Sequence, residues 1–158
     1  MTLKGDRRVI DEDNSYFSNA VQTRGGVASI VTVGSGAAMD DANAVVDYVA
    51  DPSGITPVGL YLQDVVNKDL TQTPQNHYKQ ERQVGRKIQL LTKGTVVTDT
   101  IYPGQTIAAG DICYVVHSGY LSNTDSIVTD HSASNRKIGK FDSSKDENGF
   151  AKVSINIP

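Results

Sequence analysis

The chain has no tryptophan, one cysteine and two methionines, and aromatic residues make up only 6% of it. The lone thiol, Cys113, rules out an intrachain disulfide, and with it the small secreted scaffolds that use disulfides in place of a core. No apolar run approaches the ~20 residues of a membrane-spanning helix. The polar start MTLKGDRRVIDEDNSYFSN lacks the apolar stretch of a secretory signal. Charge of one sign is scarce in net terms: 15 Lys and Arg against 18 Asp and Glu give −3, with no basic excess to draw the chain onto nucleic acid or an anionic membrane. Leucine is also sparse, with 7 residues against 18 Val and 11 Ile, while Thr adds 13 and Gly 14. Side chains branched at Cβ lose rotamer freedom in a helix and fit a pleated sheet. At 158 residues, the composition describes a mainly β protein of about one domain.

The first 26 residues differ from the rest. Charges of both signs surround scattered apolar residues of no sustained period, and the stretch closes at Gly25-Gly26. It reads either as a frayed terminus or as an extended arm that orders against a partner. The adjacent Tyr16 and Phe17 are unusual in a purely solvating tail. Residues 27–158 read as a single β-rich domain, a small barrel or sandwich. Strand candidates are Val27–Val33, Pro57–Val66, Val84–Leu91, Thr95–Tyr102, Ile112–Val116, Lys137–Phe141 and Phe150–Ile157. Residues 67–83 read as a long polar loop. Turns are expected at Gly94, Pro103-Gly104, Gly110-Asp111, Ser118-Gly119 and Asn148-Gly149. One short α-helix is expected at about 40–50. Ala42, Val45, Val46 and Val49 recur at helical spacing, Asp40 and Asp41 suit the N-terminal turn, and Asp51-Pro52-Ser53-Gly54 stops it.

Searching for chemistry yields little. Gly34-Ser35-Gly36 stands where a dinucleotide-binding turn would, but Met39 occupies the third glycine position and no βαβ pattern follows. His77, His117 and His131 have no second His or Cys at a ligand spacing. Cys113, in the apolar run Ile112-Cys113-Tyr114-Val115-Val116, reads as a small buried hydrophobe. The carboxylate pairs Asp40-Asp41 and Asp146-Glu147 lie in polar surroundings and read as solvated surface. Asp64, within LYLQDVV, needs a partner if buried; an edge position or a salt bridge explains it more simply than a catalytic acid. The residues point to no enzyme, no metal and no cofactor.

Charge is nonetheless segregated. Between Asp40 and Asp69 six acids face one base, net −5, and between Lys79 and Lys93 five bases face one acid, net +4. Such segments either set register between copies or neutralise each other within one molecule.

Three stretches carry a resemblance. They are PVGLYLQDVVNKDLTQTPQNHYKQERQVGRKIQLLTKGTVVTDTI, then IAAGDICYVVHSGYLSN, then KIGKFDSSKDENGFAKVSINIP. In order and spacing, with Ala109–Leu121 ahead of Ile138–Asn156, the region from Pro57 to Pro158 resembles the capsid decoration, or cement, proteins of tailed bacteriophages. The resemblance implies a β-rich barrel or tulip-like sheet with an N-terminal arm. It implies attachment to the outer face of an expanded shell, commonly as a homotrimer, with the major capsid protein as partner and assembly in the host cytoplasm. No catalytic residue comes with it. For such an attachment the arm and the two charged segments offer the interface residues: Arg7, Arg8, Tyr16 and Phe17 in the arm, Asp40 and Asp41 in the acidic segment, and Arg82, Arg86 and Lys87 in the basic one. The competing class is a receptor- or glycan-binding virion or tail domain, which would use exposed aromatics such as Tyr78 or Tyr120. A small hydrolase using Asp64 and the histidines comes third.

Overall fold

The computed structural model describes residues 3–32, 44–51, 56–74, 77–127 and 136–158. Among the described residues there are eleven strands: β1 (Arg8–Asp13), β2 (Val27–Thr32), β3 (Val45–Asp47), β4 (Pro57–Tyr61), β5 (Asp64–Val66), β6 (Glu81–Gln83), β7 (Leu90–Thr98), β8 (Ile112–Val115), β9 (Leu121–Ser122), β10 (Lys137–Phe141) and β11 (Ala151–Asn156). The protein is mainly β and barrel-like, a curled sheet in the order β3-β2-β4-β7-β11-β10-β8-β9, with β1 added on β7. A separate parallel pair joins β5 to β6. The only helical turns among the described residues are 3₁₀ segments at His77–Lys79 and His117–Gly119 and a single helical residue at Arg136.

Strand β7 organises the sheet. Its first residues pair with β4 through Leu60↔Leu91 and Tyr61↔Leu90, and the remainder pairs with β11 from Asn156↔Lys93 to Ala151↔Thr98. Residues 90–95 also pair with β1, which therefore lies along the opposite edge. The alternation expected of β11 is present: Lys152, Ser154 and Asn156 face outward, and Ala151, Val153 and Ile155 are buried. The larger core gathers Leu60, Leu91, Val96, Cys113, Val115, Ile138, Phe141, Val153 and Ile155. A second core gathers Ala28, Val46, Val58, Tyr61, Val65, Ile88 and Leu90, with Tyr16 and Tyr48 packed against it.

Four expectations change. The described part of the expected 40–50 helix is not helical: Val45–Asp47 is β3, paired with β2, and Val46 is fully buried. Two adjacent β-branched valines favour a strand, and a neighbouring strand edge satisfies their backbone. The start of that helix, with Asp40 and Asp41, lies outside the described residues, as does the Gly34-Ser35-Gly36 turn. Gly94 is not a turn, since β7 runs through it. A Cβ at Gly94, whose φ is +155°, would meet the Arg8 carbonyl oxygen at 2.2 Å, so the glycine marks a close approach of β1. The strand expected at Val84–Leu91 begins only at Leu90, because Gly85, at φ +83°, turns the chain. Finally, the polar loop 67–83 ends in β6.

The segment expected as an arm is extended and lies on the chain's own sheet. Leu3 bridges to Thr98 and is only 3% exposed, within the larger core. Phe17 bridges to Val45 and Lys87, and Gln22 bridges to Val65. The Thr98 hydroxyl donates to the Gly25 carbonyl at 3.0 Å. Residue 26 is thus no boundary between packed and unpacked chain. Of its scattered apolar residues Leu3 is buried and Tyr16 and Phe17 are half-buried, whereas Val9, Ile10 and Val21 stay exposed, so the segment is held largely by backbone pairing as an added strand.

Candidate interaction surfaces

Of the residues weighed for chemistry, Cys113, Asp64, His117 and Asp146 are engaged in packing or hydrogen bonds. Cys113 is fully buried, and burial pushes its thiol well above the ordinary range. Asp64 sits at the start of β5 and accepts the Arg24 backbone N–H at 2.8 Å. His117 has Nδ1 at 2.8 Å from the Ala50 carbonyl and Nε2 at 3.3 Å from that of Ile127. His77 opens the 3₁₀ turn before Lys79, and His131 lies outside the described residues. Asp146 organises the turn before β11, accepting N–H groups of Asn148 and Phe150 and the Lys4 ammonium. Among the described residues, no group of three or more His, Cys, Asp or Glu is placed to hold a metal, and no helix is long and apolar enough to cross a membrane.

The proposed interface residues divide. Tyr16 and Phe17 are half-buried: Tyr16 packs on the second core and its carbonyl accepts the Ile88 N–H, while the Lys87 ammonium lies 5.7 Å from the Phe17 ring. They anchor the N-terminal segment to its own sheet. Arg7 is half-buried, reaching the Leu62 carbonyl and Gln80. Arg8 and Arg86 are exposed, and Arg82 donates from Nε to Gln63 at 2.9 Å. Tyr78 is fully exposed and Tyr120 is 37% exposed. The acidic and basic segments meet within one molecule, since β5 and β6 are neighbours and Lys68 pairs with Glu81.

Two further surfaces emerge from the fold. The first is the outer face of the curled sheet. Register aligns Arg8, Thr95, Ser154, Lys140 and Ile112 in one row across β1, β7, β11, β10 and β8, and Asp11, Lys93 and Asn156 in the next. Lys152, opposite Val97, and Lys137, opposite Tyr114, share this face. Arg8, Lys93, Lys137 and Lys152 are thus set against Asp11, with Lys140 pairing Asp142 at 3.8 Å. The face is predominantly basic on a chain whose net charge is −3.

The second surface is a cleft of about 450 Å³ lined by residues 21–23, Tyr48, Asp99, Thr100, Ser118 and Tyr120. Its walls are braced. The Tyr48 hydroxyl donates to the Thr23 carbonyl and accepts the Gly26 N–H at 2.9 Å, and its ring meets Tyr61 edge-on at 5.1 Å. Burial raises the Tyr48 phenol far above its ordinary range, so it stays neutral. Tyr120 meets Tyr102 edge-on at 6.2 Å. Between them Gly119, at φ +75°, approaches so closely that a Cβ would lie 2.8 Å from the Val27 carbonyl oxygen. Only glycine fits there.

No protein-family model matches the chain, and no curated protein matches it.

Proposed function

We propose that this chain is a structural virion protein that binds the outer surface of a phage capsid, as a homotrimer, and clamps neighbouring capsomers. The observation that carries the reading is where the resembling phrases fall. Ala109–Leu121 supplies β8 and the first residue of β9, and Ile138–Asn156 supplies most of β10 and all of β11. β10 pairs with both β8 and β11, so phrases separated in sequence build one continuous piece of sheet. The outward side of that piece is the basic face bearing Lys137, Lys140 and Lys152. An exposed polar face is suited to a surface contact rather than to enclosing a substrate. A modest contact per copy becomes secure when a trimer engages several shell subunits together, because later contacts are effectively intramolecular. The acidic and basic segments, joined within each copy, are then one docking edge rather than two register marks.

Quantitative gels of purified virions test this. A clamp approaches the abundance of the capsid protein, and its loss lowers the resistance of shells to heat or osmotic shock. Charge reversal of Lys93 and Lys152 to Glu weakens attachment, whereas a copy number at the level of a tail or spike component overturns the reading.

A further inference from the structure

Strand β1 is an open edge. It pairs with β7 and, among the described residues, with no other strand, so one side of its backbone is left to pair elsewhere. Residues 8–12 are all exposed, and they include two β-branched apolar side chains, Val9 at 40% and Ile10 at 54%. The register with β7 shifts between Val9 and Asp11, which leaves Ile10 without a partner on β7. In a regular strand, residues three apart point to opposite faces. Here the extra residue brings Arg8 and Asp11 to the same outward face of the sheet. Neither makes an ion pair among the described residues.

We propose that β1 pairs antiparallel with the β1 of a second copy of this chain, about a two-fold axis between Val9 and Ile10. In that register Arg8 of each copy stands opposite Asp11 of the other, and Val9 stands opposite Ile10. Directly opposed residues of an antiparallel pair share a face and interact, unlike charges favourably and like charges unfavourably. The outward turn of both Arg8 and Asp11 therefore sets two ion pairs on one face, on either side of the exposed Val9 and Ile10. The same pattern names the occupant. Charges on an edge usually keep other strands away, but these match their own copy run backwards and oppose strands without that order. Such a contact is isologous and joins copies two by two. It goes beyond the capsid reading and does not depend on it, since it lies on the sheet edge rather than on the face bearing Lys137, Lys140 and Lys152.

The test is sedimentation equilibrium of the full chain from about 10 μM to about 1 mM. A reversible dimer is expected, with a dissociation constant on the order of 100 μM at low salt and weaker at high salt. R8D and D11R each place like charges across both contacts and weaken association about tenfold. Mixed in equal amounts, the two variants again oppose unlike charges and form a heterodimer as tight as the unaltered dimer. The R8D/D11R chain recovers the homodimer for the same reason. Hydrogen exchange of the unaltered chain needs no variant: protection of residues 8–12 rises with protein concentration. A single copy throughout the range overturns the proposal, as does exchange in β1 that is independent of concentration. So does association that R8D leaves unmoved, or folded single variants that stay apart when mixed.

Discussion

Lys68 and Glu81 form an ion pair across the parallel β5–β6 edge. Lys68 is the one base of the acidic segment 40–69, and Glu81 is the one acid of the basic segment 79–93. The exceptions to each segment's sign therefore neutralise each other, and each segment keeps its majority charge undiluted. The pair is largely shielded, its side chains 28% and 10% exposed. A double-mutant cycle with K68M and E81Q should show a coupling of about 0.5–1 kcal/mol in urea denaturation. Strict additivity of the two variants would mean that the pair contributes nothing.

Leu3 tests whether the N-terminal segment is arm or fold. Its burial within the main core predicts that L3A lowers stability by about 2–4 kcal/mol. A freely extended arm would leave the urea midpoint unmoved. Removing everything before Gly25 would strip β1 and the Tyr16 packing from the sheet, so deletion confounds attachment with folding. Point changes at exposed Arg8 separate the two.

Gly94 should tolerate no side chain. With the Arg8 carbonyl oxygen 2.2 Å from the site of a Cβ, G94A must displace β1 or bend β7. The expected cost is about 1–3 kcal/mol, read by thermal or urea unfolding. Hydrogen exchange should show protection lost first in Arg8–Asp13. Unchanged protection there would place the strain elsewhere.

Acid should destabilise the fold through two turn carboxylates. The Phe150 N–H, the Lys4 ammonium and the Asn148 N–H hold the Asp146 carboxyl below its ordinary value of 3.8. The Ala108 N–H and the Asn123 amide do the same for Asp111. Because both folded-state values are lowered, their contribution is complete above the unfolded-state value and is lost as pH falls through the folded one. The urea midpoint should drop as pH falls from about 5 to below 4, and less steeply in a D111N/D146N variant. Parallel curves would remove these two groups from the explanation.

At high pH the sign reverses. Burial raises the Tyr48 and Tyr61 phenols far above 10.0, so unfolding gains by ionising them once pH exceeds about 10. Their tyrosinate absorbance should rise together with loss of structure rather than before it.

Strand β11 was legible in the sequence through its clean period-two alternation, because burial on one face imposes that pattern. The strand-to-strand pairings were not. Nothing in Leu3 reveals a partner at Thr98, 95 residues away, nor in Phe17 one at Val45, 28 residues away. Val45-Val46 misled because two valines four and three residues from other apolar positions satisfy a helical stripe and a strand equally well. Of the interaction surfaces, the basic face was half visible through the outward Lys152. The cleft was not visible, because its walls come from four separate stretches of chain and Asp99 has no local signature.

The double pairing of β7 also sets the order of events on the ribosome. One edge takes β1, already synthesised, while most of the other edge waits for β11, which begins at Ala151. At roughly 5–20 residues per second, that wait lasts a few seconds. During it the nascent chain presents an open strand edge beside unburied valines, the kind of surface that recruits a chaperone or a neighbouring chain. Closure by the last strand is what ends that exposure.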